Sequence, residues 1–329
     1  MGFRMRKSIK LAPGVRMTFS KSGVGYSAGG KGYRVTKRAS GGMTRTVSVP
    51  GTDLSHTQTI ASGAGTRSSR QAAQPVAPPP PKPGLFAPRA EKELFEVVQR
   101  QDWGRLSALG VAHPEWRPLI ASLDGIFALA SDDRRRAQEL LEFAFASGVD
   151  PAAHPFVQRY VATASIKLDI ASGVNAELPL DRQAIGLALA EIRQAAGDTS
   201  GAIEIVEQLE PTTPAAVSLA ELNLEAERPH EVIAMTNGVA NEDDATALLC
   251  VFRGAALRQT GAQGASLEAL KEALRSRKRE AAIRHRALME RSATYVAMGK
   301  TGMARKDLER IQAEDSKYPG LMEALASLG

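Results

Sequence analysis

The sequence predicts a multidomain protein: a small antiparallel β-module, a disordered proline-rich linker and an all-α helical-repeat solenoid. Three observations carry this expectation. Residues 1–56 alternate apolar and polar with a period of two between glycine-bearing turns. Residues 57–88 are Thr, Ser, Gly, Ala, Gln and Pro, a composition with little to bury. From Arg89 the apolar period becomes 3.6, and small turn motifs return at separations of 30, 34 and 38 residues.

In the β-module, Phe3, Met5, Ile9 and Leu11 alternate with Arg4, Arg6, Ser8 and Lys10. Ala12-Pro13-Gly14 has turn chemistry, because proline presets φ and glycine accepts a positive one. Val15, Met17 and Phe19 follow, then Val24, Tyr26 and Ala28, then Tyr33 and Val35, and last a run from Met43 to Val49. Four or five short strands follow from that spacing, with one apolar face and one lined by Arg, Lys, Ser and Thr. About 55 residues is marginal for an independent fold, so the module is expected to lean on the helices, a second copy or a ligand.

The charge is unevenly spread. Fifteen Lys and Arg against the single acid Asp53 leave residues 1–90 at +14, whereas 27 bases and 35 acids leave residues 91–329 at −8. Such asymmetry points the N-terminal part toward an anionic surface. The candidate contacts are Arg4, Arg6, Lys7, Lys10, Arg16, Lys21, Arg34, Lys37, Arg38 and Arg45. Anionic lipid or envelope polymer, nucleic acid and protein docking all remain open, as does a role in solubility or self-association through exposed strand edges.

The run Phe3–Arg16, the block Ser20–Gly25, and Thr46–Thr52 with Leu54-Ser55 resemble the N-terminal bacterial module catalogued as domain of unknown function 4236. Asp53 and His56 depart from its pattern. The resemblance implies bacterial or phage origin and attachment to varied C-terminal parts, and it implies no enzyme activity.

Residues 57–88 read as a disordered tether, stiffened toward polyproline II at Pro78-Pro79-Pro80-Pro81-Lys82-Pro83, that lets the module swing free. Residues 89–180 read as a helical domain with degenerate repeats. Leu94, Val97 and Val98 form one stripe, and Trp103, Leu106 and Leu109 the next. Pro114-Glu115-Trp116 opens a helix through Ile120, Leu123 and Phe127. Ser131-Asp132-Asp133 caps another that carries Ala137, Leu140, Leu141 and Ala144 and ends near Gly148. Phe156 to Ile170 reads as one further helix, with no strand interrupting the domain.

In residues 181–329, Gly197-Asp198, Glu227-Arg228, Gly261-Ala262 and Gly299-Lys300 each separate two helical patterns, and Ala202, Val232, Ser266 and Ala304 follow five residues after the first of each pair. With Leu288 and Tyr295, this pattern resembles the tetratricopeptide repeat. The resemblance implies protein binding on the first helix of each pair, and its register places Glu191, Gln194, Glu221, Glu225, Arg258, Gln259 and Arg286 toward that groove. Lys271 through Arg291, with Arg275, Arg277, Lys278, Arg279, Arg284 and Arg286, reads as a solvated face and turn.

Catalytic constellations are missing from the sequence. Met298-Gly299-Lys300-Thr301 lacks the earlier glycine of a phosphate-binding loop, since Thr294 stands there, and no strand precedes it. The five histidines share no ligand spacing, and Cys250 sits in an apolar run as a small core residue. No cofactor and no metal are expected. No apolar core follows Arg4, Arg6 and Lys7, which argues against a signal peptide. Arg6 stands where a myristoylation site needs Ser or Thr. The expectation is a non-enzymatic cytoplasmic adaptor or scaffold, with membrane association, a nucleic-acid role in phage–host conflict and self-assembly as alternatives.

Overall fold

The computed structural model describes residues 82–100, 102–162, 164–171 and 173–328 in full, and the backbone of strands within 7–60. Those strands are β1 (Lys7–Ala12), β2 (Val15–Ser20), β3 (Gly23–Gly30), β4 (Tyr33–Lys37), β5 (Met43–Ser48) and β6 (Ser55–Ile60). They pair antiparallel in sequence order. The sixth strand runs to Ile60, four residues into the stretch read as linker; Ser55 to Ile60 alternates Ser, Thr and Thr with His, Gln and Ile, a pattern too polar to stand out. Residues 61–81, read as disordered, lie outside the described residues.

Helices begin at Arg89, where the period changes: α1 (Arg89–Arg100), α2 (Leu106–Ala112), α3 (Arg117–Ala130), α4 (Arg134–Ala146) and α5 (Pro155–Tyr160). The expected helix from Phe156 to Ile170 is corrected here. Helix α5 ends at Tyr160, and β7 (Ser165–Ala171) and β8 (Val174–Pro179) form a hairpin turned at Gly173, whose φ is +87°. Ile166 and Leu168 are buried while Lys167 is exposed, the period of two that a strand requires.

Ser8, Ile9 and Lys10 of β1 register against Lys167, Ile166 and Ser165 of β7. The described strands therefore make one sheet in the order β6-β5-β4-β3-β2-β1-β7-β8. This differs from a module that swings free: the small sheet gains its missing support from a strand of the helical region.

Next come α6 (Arg182–Ala195), α7 (Thr199–Glu207), α8 (Thr213–Glu225), α9 (Pro229–Met235), α10 (Asp244–Gln259), α11 (Gln263–Ala273), α12 (Ala281–Ala297), α13 (Thr301–Glu314) and α14 (Leu321–Ala326). Two compact units result, Met1–Leu168 with Glu177–Ile192, and Asp169–Ala176 with Arg193–Gly329.

One turn recurs in both units. Gly197, Glu227, Gly261 and Gly299, the positions singled out by the sequence period, all have positive φ, and so does Asp132 between α3 and α4. At each, the next residue's N–H donates back five residues to a helix carbonyl: Asp133 to Ala128, Asp198 to Arg193, Arg228 to Asn223, Ala262 to Leu257 and Lys300 to Tyr295, all at 2.8–2.9 Å. The turn residue itself donates to the carbonyl three before it. This is the left-handed cap that satisfies the last carbonyls of a helix. Five residues beyond each turn stand Ala137, Ala202, Val232, Ser266 and Ala304, all fully buried. The Asp132 turn adds a repeat that the sequence period did not include.

Close helix approach explains the small residues before the turns. A Cβ on Gly125 would meet Leu141 Cδ2 at 2.7 Å, and one on Gly254 would meet Leu270 Cγ at 2.5 Å. In the second unit α10 lies against α8, α9, α11 and α12, around a core of Val217, Val232, Val251, Phe252, Leu270 and Ile283. Ala171 and Val174 from the hairpin tip join that core. The protein thus combines a small antiparallel sheet with an all-α helical-repeat body of the tetratricopeptide type.

Candidate functional site

Two faces of the helical repeats carry organised charge. The first is the one the repeat register selects. Arg286 Nη1 on α12 donates to Glu221 Oε1 on α8 at 3.0 Å, and its guanidinium lies 5.3 Å from the Phe252 ring of α10. Gln194 Nε2 donates to Glu225 Oε2 at 2.7 Å, and Thr199 Oγ1 donates to the other oxygen at 2.7 Å. Arg258 Nη2 donates to Glu290 Oε2 at 2.8 Å. Gln259 is exposed at the end of α10, and Glu191 is half-buried on α6. Arg286 with Glu221, and Gln194 with Glu225, are therefore brought together as direct partners. A ligand on this face would compete with those internal pairs.

The second face is the basic stretch from Lys271 to Arg291, which the sequence alone presents as a solvated face and turn. Lys271, Arg275 and Arg277 at the end of α11, Arg284 and Arg291 on α12, and Arg310 on α13 surround a groove of about 830 Å³ together with Glu268, Glu272 and Glu314. Half-buried Leu274 contributes apolar surface, and Leu288 lies buried beneath it. Arg284 grips Glu314 with two nitrogens, at 3.2 and 2.8 Å, and His285 Nε2 lies 3.1 Å from the same carboxylate. Those contacts, Arg284 first and His285 second, hold the Glu314 carboxyl below its ordinary value. Arg291 donates to both oxygens of the buried Asp307, at 2.7 and 2.6 Å, which pushes its own pKa up. Only Arg310, lying beyond the basic stretch in sequence, gave no signal; the other cations were visible but not their convergence.

A matching groove of about 410 Å³ lies in the first unit among α2, α3 and α4, lined by Leu106, Val111, Ile120, Leu140 and Phe143. Its charged lining is Arg117, Glu139 and the pair of Asp124 and Arg136, in which Arg136 Nη2 donates to both Asp124 carboxylate oxygens at 2.6 and 2.7 Å. Burial outweighs the arginine here and leaves the Asp124 carboxyl above its ordinary value.

In the sheet, Lys10, Arg16, Ser27, Thr36 and Thr44 form one cross-strand row, and Arg34 shares its parity. Lys7, Lys37 and Arg45 take the opposite parity, that of Ile9, Met17 and Val35. Of the other expected surface contacts, Arg4, Arg6, Lys21 and Arg38 lie outside the described residues.

Cys250 is buried, and burial raises its thiol pKa, so it is a core residue rather than an activated nucleophile. Among the described residues no group of three or more His, Cys, Asp or Glu is arranged to hold a metal ion. Nor is any described helix long and apolar enough to cross a membrane.

Fold and surface together define a helical-repeat protein of the tetratricopeptide type with an N-terminal β-sheet module. Residues 3–57 match the family described as "Protein of unknown function (DUF4236)". No curated protein matches the sequence significantly. Among solved structures, the N-terminal domain of the EccA1 ATPase from the ESX-1 secretion system of Mycobacterium tuberculosis superposes with a TM-score of 0.54 at 15% identity, covering 73% of this chain and 88% of that one. At that identity the likeness is one of fold. A thermophilic TPR protein of Thermus thermophilus is similar at TM-score 0.39 and 16% identity, covering 65% of this chain and 98% of that one. A tetratricopeptide repeat protein from Parabacteroides merdae is similar at TM-score 0.37 and 11% identity, with 73% and 99% covered.

Proposed function

We propose that the protein is a non-enzymatic bacterial adaptor whose helical repeats hold a protein partner while the cationic β-module contacts an anionic membrane or envelope surface. The observation that carries this reading is the division of charge between the two parts, +14 over residues 1–90 and −8 over residues 91–329. Lys and Arg near an anionic bilayer add about 1 kcal/mol each, so a handful suffices for reversible attachment. The helical part supports the other half of the reading, because stacked helix pairs present extended side-chain surfaces for a partner.

Flotation of the full chain with vesicles tests the surface contact. It should rise with phosphatidylserine content and fall with salt over the Debye-screening range. Vesicle-independent behaviour combined with a salt-sensitive shift of generic DNA or RNA would replace the membrane by nucleic acid. A crosslinked pull-down with the full chain tests the partner half: enrichment of a bacterial protein supports it, and enrichment of nothing above a mock bait sinks it.

A further inference from the structure

In the groove between α11 and α13 the positive charge is only partly cancelled. Lys271 pairs with Glu268 at 3.5 Å, Arg275 with Glu272 at 3.2 Å, Arg284 with Glu314 and Arg291 with Asp307. Among the described residues, Arg277 and Arg310 have no hydrogen-bonding or ion-pair partner, yet both line the same groove. Six cations face three acids in that lining. Arg284 and Arg291 are oriented by two-nitrogen contacts, so part of the ordering cost of binding is already met.

Resting on the reading of the repeats as a protein-binding body, we infer that this groove docks an acidic peptide segment, with carboxylates on Arg277 and Arg310 and an aliphatic side chain on Leu274. The lining selects among anions. Glu268, Glu272 and Glu314 interrupt the cations, which disfavours a densely charged polyphosphate backbone. Among the described residues no aromatic side chain lines the groove, so it offers no stacking platform for unpaired bases there. Half-buried Leu274 instead provides apolar surface that a peptide side chain can cover. A volume of about 830 Å³ lies within the range of sites that enclose a small ligand or a few residues.

The test uses the full chain and three probes: a fluorescent six-residue peptide alternating glutamate and leucine, its glutamine-for-glutamate counterpart, and inorganic polyphosphate. The glutamate peptide should bind at least tenfold tighter than the glutamine one, and the double variant Arg277→Glu with Arg310→Glu should lose at least tenfold. Neither arginine holds a partner, so the variant should keep the parent melting temperature; Arg135→Glu, on exposed α4, should bind like the parent. Absence of glutamate-peptide binding overturns the inference, and so does tighter binding of polyphosphate. Binding that survives the double variant but is lost in Arg286→Glu also overturns it, while keeping the protein-binding reading by moving the peptide to the α8–α10–α12 face.

Discussion

Eight residues before its left-handed turn residue, α3 carries Asp124; at the matching place α12 carries Arg291. Both side chains are withdrawn from water, Asp124 to 1% exposure and Arg291 to 18%, and both are gripped through two hydrogen bonds by the following helix. The sign of the charge is reversed between the two pairs. What the slot demands is a counter-charge from the second helix, supplied by Arg136 in one case and Asp307 in the other. The surroundings then diverge: the α3–α4 groove is mostly apolar and the α12–α13 groove mostly basic. Helix α10 is the informative third case. Arg253 occupies the slot, Ala269 stands where α13 has Asp307, and Arg253 Nε is buried without a partner.

Breaking one pair should give the largest effect. Arg136→Met leaves the Asp124 carboxylate buried and uncompensated, and should cost about 3 kcal/mol or more in urea unfolding at neutral pH. The sign of the pH dependence follows from burial, which already raises this carboxyl above the ordinary aspartate value of 3.8. The native state therefore binds the proton more tightly than the unfolded chain, so this group's contribution falls as pH rises from about 3.8 through the raised value. Removing Arg136 raises it further, and the variant's deficit should shrink as pH drops below that window. A deficit independent of pH would mean that lost packing, not charge, governs the slot.

Next in size are the close contacts. Gly254→Ala and Gly125→Ala should each cost roughly 1–3 kcal/mol by overpacking, because the added methyl meets a buried leucine below 3 Å. Equal thermal stability of either variant and the parent would show that the leucine can yield. A smaller gain is expected from Ala269→Asp, which offers Arg253 the partner it lacks; about 1 kcal/mol of added stability is the scale of one charged hydrogen bond. Smallest is the turn comparison. Glu227→Gly should stabilise by up to about 1 kcal/mol, since Glu227 sits at φ 57°, and Asp132→Gly should gain less because aspartate tolerates that conformation better. Equal gains at both positions would remove the distinction.

Much of the repeat architecture was legible because turn and core demands fall on adjacent residues. Gly197, Gly261 and Gly299 announce a left-handed cap, and the small residue five places on announces the helix contact. Asp132 escaped that reading because the β7–β8 hairpin stretches the interval to Gly197 beyond one period. The hairpin itself carried a signal, Ile166, Leu168 and Ile170 alternating with Lys167 and Asp169, which the helical run before it masked. The basic groove could not be read from sequence because its ends, Arg277 and Arg310, converge only once α12 separates α11 from α13. The register of Lys7, Lys37 and Arg45 likewise depends on where each strand starts, which local alternation leaves open by one residue.

Pairing of β1 with β7 joins residues 8–10 to residues 165–167. During synthesis the first strand therefore leaves the ribosome more than 150 residues before the strand that completes its hydrogen bonds. Contacts of such sequence separation close late, so the N-terminal strand spends the intervening time with an unfilled edge. Its two lysines, Lys7 and Lys10, are then a safeguard for the nascent chain, holding off foreign strands until the hairpin arrives.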